Sequence, residues 1–279
     1  MWVMGTRYWA SAGSSQVRLR HEKRRLSPEQ KAMECILRAG ILKALLDSTR
    51  ELCTSANFQF DGDGLRMQAM DTAHVALISL ALAPCAFLSY RCSEKPSTLG
   101  IHFEALSVVL KTCTADDQIK LAWEQGGDHL TIARKDRQFD LKLLEVDKEI
   151  TSVPELCYEV SATVPASEFQ KICRDLKDIG GDTISVCAAP DGITCKVDGD
   201  LGSGTAVMKE GVSIDSCVAA TSSSYSLRYL AAFAKCATLC SDVLIQMGKE
   251  TPLRLTYVVD AASPEHGRLE FFLAPRICD

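Results

Sequence analysis

Two short segments have residue types that bind ions or phosphates in other proteins, but both lack the required spacing. Residues 61–64 read Asp-Gly-Asp-Gly, the usual start of a calcium-binding loop. Such a loop needs oxygen ligands at its fifth and twelfth positions, which here are Leu65 and Thr72. Residues 199–204, Gly-Asp-Leu-Gly-Ser-Gly, lack the Gly-Lys-Ser/Thr and the following helix of a phosphate-binding loop. Neither segment therefore predicts a metal or nucleotide site.

The histidines, serines and cysteines show no catalytic arrangement. The five histidines lack metal-ligand spacing, and no Gly-x-Ser-x-Gly nucleophile turn occurs. The 13 cysteines include no Cys-x-x-Cys pair, and an odd number in a chain without a signal peptide indicates reduced thiols in the cytosol or nucleus. We therefore expect no enzyme, no cofactor and no metal ion. A cysteine-dependent hydrolase is a distant alternative, which an activity screen with a thiol-blocking reagent would test.

The strongest chemical pattern is a series of cations on predicted helices. Lys43 and Arg50 lie seven residues apart, as do Arg228 and Lys235, so each pair projects from one helical face. The other two predicted helices add Lys111, Lys171, Arg174 and Lys177. Basic residues on a single exposed helix usually serve solubility, but beyond residue 32 the chain is acidic overall. Cations on all four helices therefore predict contact with the phosphates of a polyanion, without sequence preference.

These helices belong to a repeated unit. Amphipathic segments are predicted at residues 41–52, 103–113, 167–179 and 225–239. Each is followed by alternating segments around a turn, and these predict hairpins at residues 58–70, 118–133, 183–197 and 243–259. A period close to sixty residues indicates a duplicated α+β architecture, in which the apolar helix faces pack on sheets built from the hairpins.

The chain divides into four predicted regions. Residues 1–32 are predicted to be a basic, disordered extension, with nuclear import or nucleic-acid binding as the alternative. Two similar domains follow at 33–142 and 159–279, joined by an extended connector at 143–158 that Pro154 interrupts. The longest apolar stretch, 75–88, is too short to cross a bilayer, so no membrane association is expected.

Several long motifs resemble one family, the eukaryotic DNA sliding clamps of the proliferating cell nuclear antigen type. They are residues 70–75 (Met-Asp-Thr-Ala-His-Val), 169–180 (Phe-Gln-Lys-Ile-Cys-Arg-Asp-Leu-Lys-Asp-Ile-Gly), 199–204, 227–230 (Leu-Arg-Tyr-Leu) and 272–277 (Phe-Leu-Ala-Pro-Arg-Ile). The resemblance extends from Met33 to Asp279 in order. It implies two similar clamp domains, each of two helix-plus-hairpin repeats, in a pseudo-sixfold homotrimeric ring with inner helices and outer sheets.

The resemblance also implies a function. The ring would encircle double-stranded DNA without sequence preference in the nucleus. It would act as processivity factor for the replicative DNA polymerase and as a docking platform in replication and repair. Polymerase, clamp loader, flap endonuclease and DNA ligase would bind through short helical peptide motifs. The alternative is a checkpoint-type or hetero-oligomeric clamp relative that acts as an interaction scaffold; a native mass would separate the two.

Three sets of functional residues follow from the resemblance. The cations facing DNA would be Lys43, Arg50, Lys111, Lys135, Lys171, Arg174 and Lys235. The partner-peptide groove would be lined by Met70, His74, Val75, Leu77, Ile150, Val153, Pro154, Pro252, Phe272, Ala274 and Pro275. The subunit interface would use Arg137, Phe139, Leu141, Leu143, Gly204, Ala206 and Met208. For His74, a structural role and a direct partner contact both stay open.

The chain departs from the family pattern at several of these sites. Ala44 and Val108 stand where the family has lysines, so weaker or more salt-sensitive retention on DNA is expected. Residues 151–154 read Thr-Ser-Val-Pro instead of Leu-Gly-Ile-Pro, so Ile150 or Val153 must supply the apolar contact. Phe272 replaces a tyrosine and keeps its ring.

Overall fold

The computed structural model describes residues 31–145 and 156–276, which form an α+β structure. The predicted groove residues Ile150, Val153 and Pro154 lie outside the described residues. The first strand begins at Lys31, close to the predicted start of the folded part at Met33.

The four helices begin within two residues of their predicted positions. They are α1 (Ala39–Thr49), α2 (Phe103–Leu110), α3 (Ala166–Lys177) and α4 (Leu227–Phe233). They end earlier than predicted because their last turns tighten: Leu52 N–H donates to the Thr49 carbonyl and Cys113 N–H to the Leu110 carbonyl, as in a 3₁₀ turn. After α4 the chain continues as a 3₁₀ segment, Ala234–Thr238. The prediction of one continuous α-helix over 225–239 is therefore wrong.

All four predicted hairpins are present. The strands of the N-terminal half are β1 (Lys31–Arg38), β2 (Ser55–Asp61), β3 (Gly64–Met70), β4 (Ala76–Leu82), β5 (Ser89–Cys92), β6 (Ser97–His102), β7 (Gln118–Glu124), β8 (His129–Arg134) and β9 (Arg137–Lys142). Those of the C-terminal half are β10 (Val160–Pro165), β11 (Thr183–Ala189), β12 (Gly192–Gly199), β13 (Gly202–Met208), β14 (Ser213–Cys217), β15 (Thr221–Ser226), β16 (Asp242–Met247), β17 (Leu253–Val258) and β18 (Gly267–Leu273). The predicted hairpins correspond to β2–β3, β7–β8, β11–β12 and β16–β17.

Burial alternates from one residue to the next along the strands. In β4, Ala76, Ile78, Leu80 and Leu82 are buried, whereas the residues between them are partly exposed. The same two-residue period holds in β2 and β11. One face of each sheet is thus apolar and requires a covering layer.

The strands form three antiparallel sheets. Five N-terminal strands form the order β5-β1-β7-β8-β9, and four C-terminal strands form β13-β12-β11-β15. The third sheet has nine strands from both halves, in the order β14-β10-β16-β17-β18-β4-β3-β2-β6. Its central junction is the β4–β18 pair, which runs from Ala76 opposite Leu273 to Leu82 opposite Gly267. A continuous hydrogen-bonded ladder therefore joins the two halves of the chain.

The helices form one layer on the apolar sheet face, side by side in the order α2, α1, α4 and α3. On α3, Phe169, Ile172, Cys173 and Leu176 are buried, as the predicted apolar face requires. Phe233 of α4 stacks on Phe271 of β18 with a centroid distance of 4.3 Å. Burial of one such side chain contributes about 1.5–3 kcal/mol to stability. The core consequently extends across the junction of the two halves.

Candidate nucleic-acid interface and partner groove

The outer surface of the helix layer carries the predicted cations. Arg50 and Lys111 are the exposed C-cap residues of α1 and α2, and Lys171 and Arg174 are exposed on α3. Cations near helix C-termini also interact favourably with the negative end of the helix dipole. Acidic residues share these surfaces, including Asp47 on α1. The helix layer is therefore a mixed surface on which the basic residues lie together.

Lys43 is less available than predicted. It is half-buried, and its Nζ donates a hydrogen bond of 2.7 Å to the carbonyl of Cys113 just beyond α2. The ammonium thus satisfies a backbone acceptor in the turn that follows the helix. Lys43 therefore links α1 to the end of α2 in addition to carrying charge.

Lys235 also has a partner within the chain. Its Nζ lies 2.8 Å from Glu51 Oε1, and Arg228 Nη2 donates to the Glu51 backbone carbonyl at 3.1 Å. Glu51 directly follows the α1 C-cap, whereas Arg228 and Lys235 belong to α4 and its 3₁₀ extension. These contacts cross from the N-terminal to the C-terminal half on the helix-layer surface.

Lys135 lies outside the helices, in the turn between β8 and β9, and has a positive φ of 47°. Its Nζ is 3.9 Å from Asp117 Oδ1, and Arg134 Nε is 3.2 Å from Asp117 Oδ2. Lys135 is exposed, so this weak pair leaves it accessible to an anion.

On the opposite face of the nine-stranded sheet, cross-strand pairing brings predicted groove residues into one row. Met70 of β3 pairs with Leu77 of β4, Leu77 with Phe272 of β18, and Phe272 with Arg254 of β17. Met70 is 38% exposed and Leu77 is half-buried. Both halves of the chain therefore contribute to this apolar row.

The rim of the row is the loop that follows Met70. His74 and Val75 are exposed there, and His74 has a positive φ of 56° with its Nδ1 3.0 Å from Met70 Sδ. At the other end, Pro252, Ala274 and Pro275 are half-buried, and Ala274 N–H donates to the Val75 carbonyl at 2.9 Å. His74 is therefore exposed at the rim and also contacts Met70 within the chain.

Phe272 is largely covered within the chain. Only 7% of it is exposed, because the Arg254 guanidinium lies over its ring, 5.6 Å from the centroid. Arg254 is held in place by Glu270, whose Oε1 accepts from Arg254 Nε at 3.0 Å. The floor of the groove therefore has a cation on its aromatic ring, which the sequence pattern did not predict.

The rim loop is organised by Asp71, which is 2% exposed. Its Oδ1 accepts the N–H groups of Val75 and Ala76 at 2.8 and 2.7 Å, and its Oδ2 accepts that of Ala73 at 3.0 Å. The hydroxyl of Tyr229, on α4 in the other half, donates to Oδ2 at 2.6 Å. Asp71 therefore connects the rim of the groove to the helix layer.

The protonation states of Asp71 and Tyr229 suit this bond. Burial alone would raise the pKa of Asp71, but the hydrogen bonds from Tyr229 and three backbone N–H groups outweigh it and hold the pKa below its usual value. Burial and the bond to Asp71 raise the pKa of Tyr229 to about 12. At neutral pH the carboxylate is ionised and the phenol remains a donor.

Two strand edges carry the predicted interface residues. Within the described residues β9 pairs only with β8, and β13 only with β12. On β9, Leu141 is buried, Phe139 is half-buried and Arg137 is exposed; Leu143 follows the strand and donates its N–H to the Asp128 carbonyl. On β13, Met208 is buried, whereas Gly204 and Ala206 are half-buried.

The space beside Gly204 is used within the chain. A Cβ at this position would clash with the Ile179 side chain and lie 2.9 Å from Leu176 Cδ2, both at the end of α3. A larger residue at position 204 would therefore first disturb the packing of β13 on α3, so Gly204 has a role within the subunit in addition to its predicted place at the interface.

Sequence patterns missed Glu51, Asp71, Tyr229 and Arg254 as residues that shape these sites. The adjacent Arg50 and the resemblance around residues 70–75 mark the neighbourhoods but not the contacts. Lys235 and Glu51 are 184 residues apart, and Tyr229 and Asp71 are 158 apart. Such pairs become visible only when the two halves are packed together.

Within residues 31–145 and 156–276, no three His, Cys, Asp or Glu residues are placed to hold a metal ion. Burial raises the pKa of Cys35, Cys195 and Cys236 to about 12, so these thiols are protonated and unreactive at neutral pH. In the same part of the chain, no helix is long and apolar enough to cross a membrane.

The duplicated helix layer, the unpaired edges and the groove between the halves together define the class of DNA sliding clamps. Family models agree: the N-terminal domain of proliferating cell nuclear antigen matches residues 33–151, and the C-terminal domain of that family matches residues 152–276. The chain belongs to the proliferating cell nuclear antigen family, whose members are non-enzymatic clamp scaffolds.

Individual relatives support this assignment. Proliferating cell nuclear antigen of Chaetomium thermophilum is 31% identical over 255 residues, which cover 86% of this chain and 96% of the relative. The crystal structure of proliferating cellular nuclear antigen from Entamoeba histolytica superposes with a TM-score of 0.82 and 26% identity. That match covers 88% of this chain and all of the other.

Proposed function

We propose that three copies of this chain close into a ring around duplex DNA. The observation that carries this proposal is the complementarity of the two unpaired edges. Inside the chain, an edge from the N-terminal half pairs with an edge from the C-terminal half to make a nine-stranded sheet. The free edges β9 and β13 end a five-stranded and a four-stranded sheet, so their pairing between subunits would make a second sheet of the same size.

We propose a register for that pairing from the internal repeat. It takes Leu80 of β4 and Phe139 of β9 as equivalent, since both pack on the core and each pairs with a buried residue of the preceding strand, Met67 or Ile132. By the same comparison, Gly204 of β13 is equivalent to Leu269 of β18, since they pair with Val197 and Tyr257.

Because Leu80 and Leu269 face each other across the junction within the chain, Phe139 of one subunit would face Gly204 of the next. An aromatic ring over a strand glycine is a stabilising cross-strand arrangement. Next to this position, Leu201 and Val207 are 82% and 51% exposed, and pairing of the two edges would cover them. The chain thus has both halves of one interface, which favours a homomeric ring over the hetero-oligomeric alternative.

Six such domains would place the helix layer around the central hole. Arg50, Lys111, Lys171 and Arg174 would then meet phosphates of double-stranded DNA without reading its sequence. Contacts of this kind have similar energy at every position along the duplex, so they permit sliding. A sliding ring that holds the replicative polymerase acts as a processivity factor, and we place this function in the nucleus.

The row of Met70, Leu77 and Phe272, with Val75 on its rim, would accept the anchors of a short helical peptide. We propose that polymerase, clamp loader, flap endonuclease and ligase dock in this groove. An interaction of this type rests on a few buried anchors, each worth about 1.5–3 kcal/mol.

Mass in solution tests the ring. Native mass spectrometry should give three times the chain mass of 30.4 kDa. The proposed register also places Ser203 opposite Asp140, and both are exposed. Ser203→Asp should therefore promote dissociation on dilution, whereas Ser203→Lys, the matched control, should oppose it, each by about 0.2–1 kcal/mol per interface. A monomeric wild-type chain would rule out the ring, and equal effects of the two substitutions would rule out the register.

A further inference from the structure

Glu51 is an acidic residue among the cations of the helix layer. Its carboxylate accepts from Lys235 Nζ at 2.8 Å, and its backbone carbonyl accepts from Arg228 Nη2 at 3.1 Å. The hydrogen bond from Lys235 is the largest cause that lowers the pKa of Glu51, and the charges of Lys235, Lys177 and Arg50 lower it further. A carboxylate in this place cancels positive charge where the proposed DNA path needs it.

The ion pair is open to exchange with a second anion. The side chain of Lys235 is 36% exposed and that of Glu51 is 50% exposed. Ion pairs with this degree of exposure contribute little to stability, because water and salt screen them. A phosphate oxygen that approaches the helix layer can therefore compete with the carboxylate for the same ammonium group.

The pair is not needed to hold the two halves together. The β4–β18 ladder, the Tyr229–Asp71 hydrogen bond and the contact of Cys236 Sγ with the Ala44 carbonyl at 3.6 Å already join them. The ladder lies in the sheet and the other two contacts involve the buried side chains of Asp71 and Cys236, whereas the Glu51–Lys235 pair is at the surface. Its removal should leave the fold of the junction intact.

We propose that Glu51 is an internal competitor for phosphate, which holds Lys235 away from DNA and so weakens the grip of the ring on the duplex. This inference rests on the proposed function. It makes Glu51 a positioning residue for Lys235: the lysine contacts a phosphate only when it leaves the carboxylate. The affinity of the ring for DNA thereby stays low enough for movement along the duplex.

The test uses the salt dependence of binding to a short linear duplex, onto which the ring can thread over a free end. Glu51→Gln should tighten binding several-fold at low salt. It should also steepen the slope of log K against log salt by about 0.9 for each Lys235 that gains a phosphate contact. Glu51→Asp, which shortens the side chain by one methylene, should give an intermediate result and serves if Glu51→Gln folds poorly.

Two controls distinguish the effect of freeing Lys235 from the effect of removing one negative charge. Glu104 is exposed on α2 and has no lysine or arginine ion-pair partner within the described residues, so Glu104→Gln removes the same charge without freeing a cation. In a Lys235→Met background, Glu51→Gln should no longer change the slope. Equal slopes for Glu51→Gln and Glu104→Gln would overturn the inference. Failure of the wild-type ring to bind any duplex would instead count against the proposed function.

Discussion

The Asp71–Tyr229 hydrogen bond allows a quantitative test of how the groove rim is held. Tyr229→Phe removes a single hydroxyl from a 2.6 Å bond to a buried carboxylate. Hydrogen bonds to charged groups contribute about 1.5–3 kcal/mol to stability. Because Asp71 keeps its three backbone donors, we expect a loss near the lower end, about 1.5 kcal/mol in the free energy of unfolding.

A double-mutant cycle isolates this bond from other effects. Asp71→Asn leaves the side-chain size unchanged but replaces Oδ2, the acceptor for Tyr229 and for Ala73 N–H, with a donor group. The free energies of unfolding of the wild type, both single variants and the double variant should give a coupling energy of about 1–2 kcal/mol. All four proteins should be compared at one concentration, because subunit association alters apparent stability. A coupling energy near zero would show that the two groups act independently.

Acid should remove this contribution. The pKa of Asp71 lies below its usual value in the folded chain, so its stabilising effect is present above the unfolded pKa, about 3.9. The effect is lost as the pH falls from about 4 through the folded pKa, because the carboxyl then protonates in both states. We expect the stability difference between wild type and Asp71→Asn to be constant from pH 7 to about 5 and to shrink below pH 4. A difference that stays constant down to pH 2 would contradict this protonation assignment.

Three further outcomes follow from the two surfaces. The exposed pair Lys171→Ala and Arg174→Ala should reduce the salt slope of duplex binding by about 0.9 per lost contact without changing the native mass; an unchanged slope would mean that α3 does not face the duplex. Val108→Lys, at a helix position that is 60% exposed, should increase both duplex affinity and its salt slope, and a neutral result would place α2 away from DNA. Phe272→Asp should abolish calorimetric binding of an aliphatic-x-x-aromatic-aromatic peptide by placing a charge in the groove floor, whereas binding as in wild type would remove Phe272 from the site.

Sequence patterns predicted the helices and hairpins of this fold well, because apolar residues recur at a different spacing in a helix and in a strand. The three-to-four-residue spacing of Phe169, Ile172 and Leu176 places them on one helix face whatever the rest of the chain does. The alternation of buried Phe58 and Phe60 with Asn57 and Gln59 in β2 acts in the same way. The α4 helix is the exception: its change to a 3₁₀ segment after Phe233 has no signal in the apolar period, which continues through Cys236.

The sites were predicted less completely, because their chemistry depends on contacts between distant segments. A pattern can place Lys43 on an exposed helix face, but its acceptor is 70 residues away. Likewise, the resemblance assigned Gly204 to a subunit interface without showing that Ile179 fills the space beside it. The resemblance named Phe272 as a groove residue without showing the Arg254 side chain of the neighbouring strand that covers its ring.

The proposed ring has two kinds of seam, each a strand pair that joins two domains. One is β4–β18 within each subunit, and the other is β9–β13 between subunits. Within each subunit, the seam is tethered covalently and supported by a shared aromatic core, so dilution cannot separate its two sides. The seam between subunits has the same strand geometry but no tether, and its strength depends on concentration. Any process that must pass DNA into the ring should therefore open a β9–β13 seam. Dilution would therefore release single subunits with both domains intact. Each would keep its groove and the two strand edges, β9 and β13, that had paired with its neighbours.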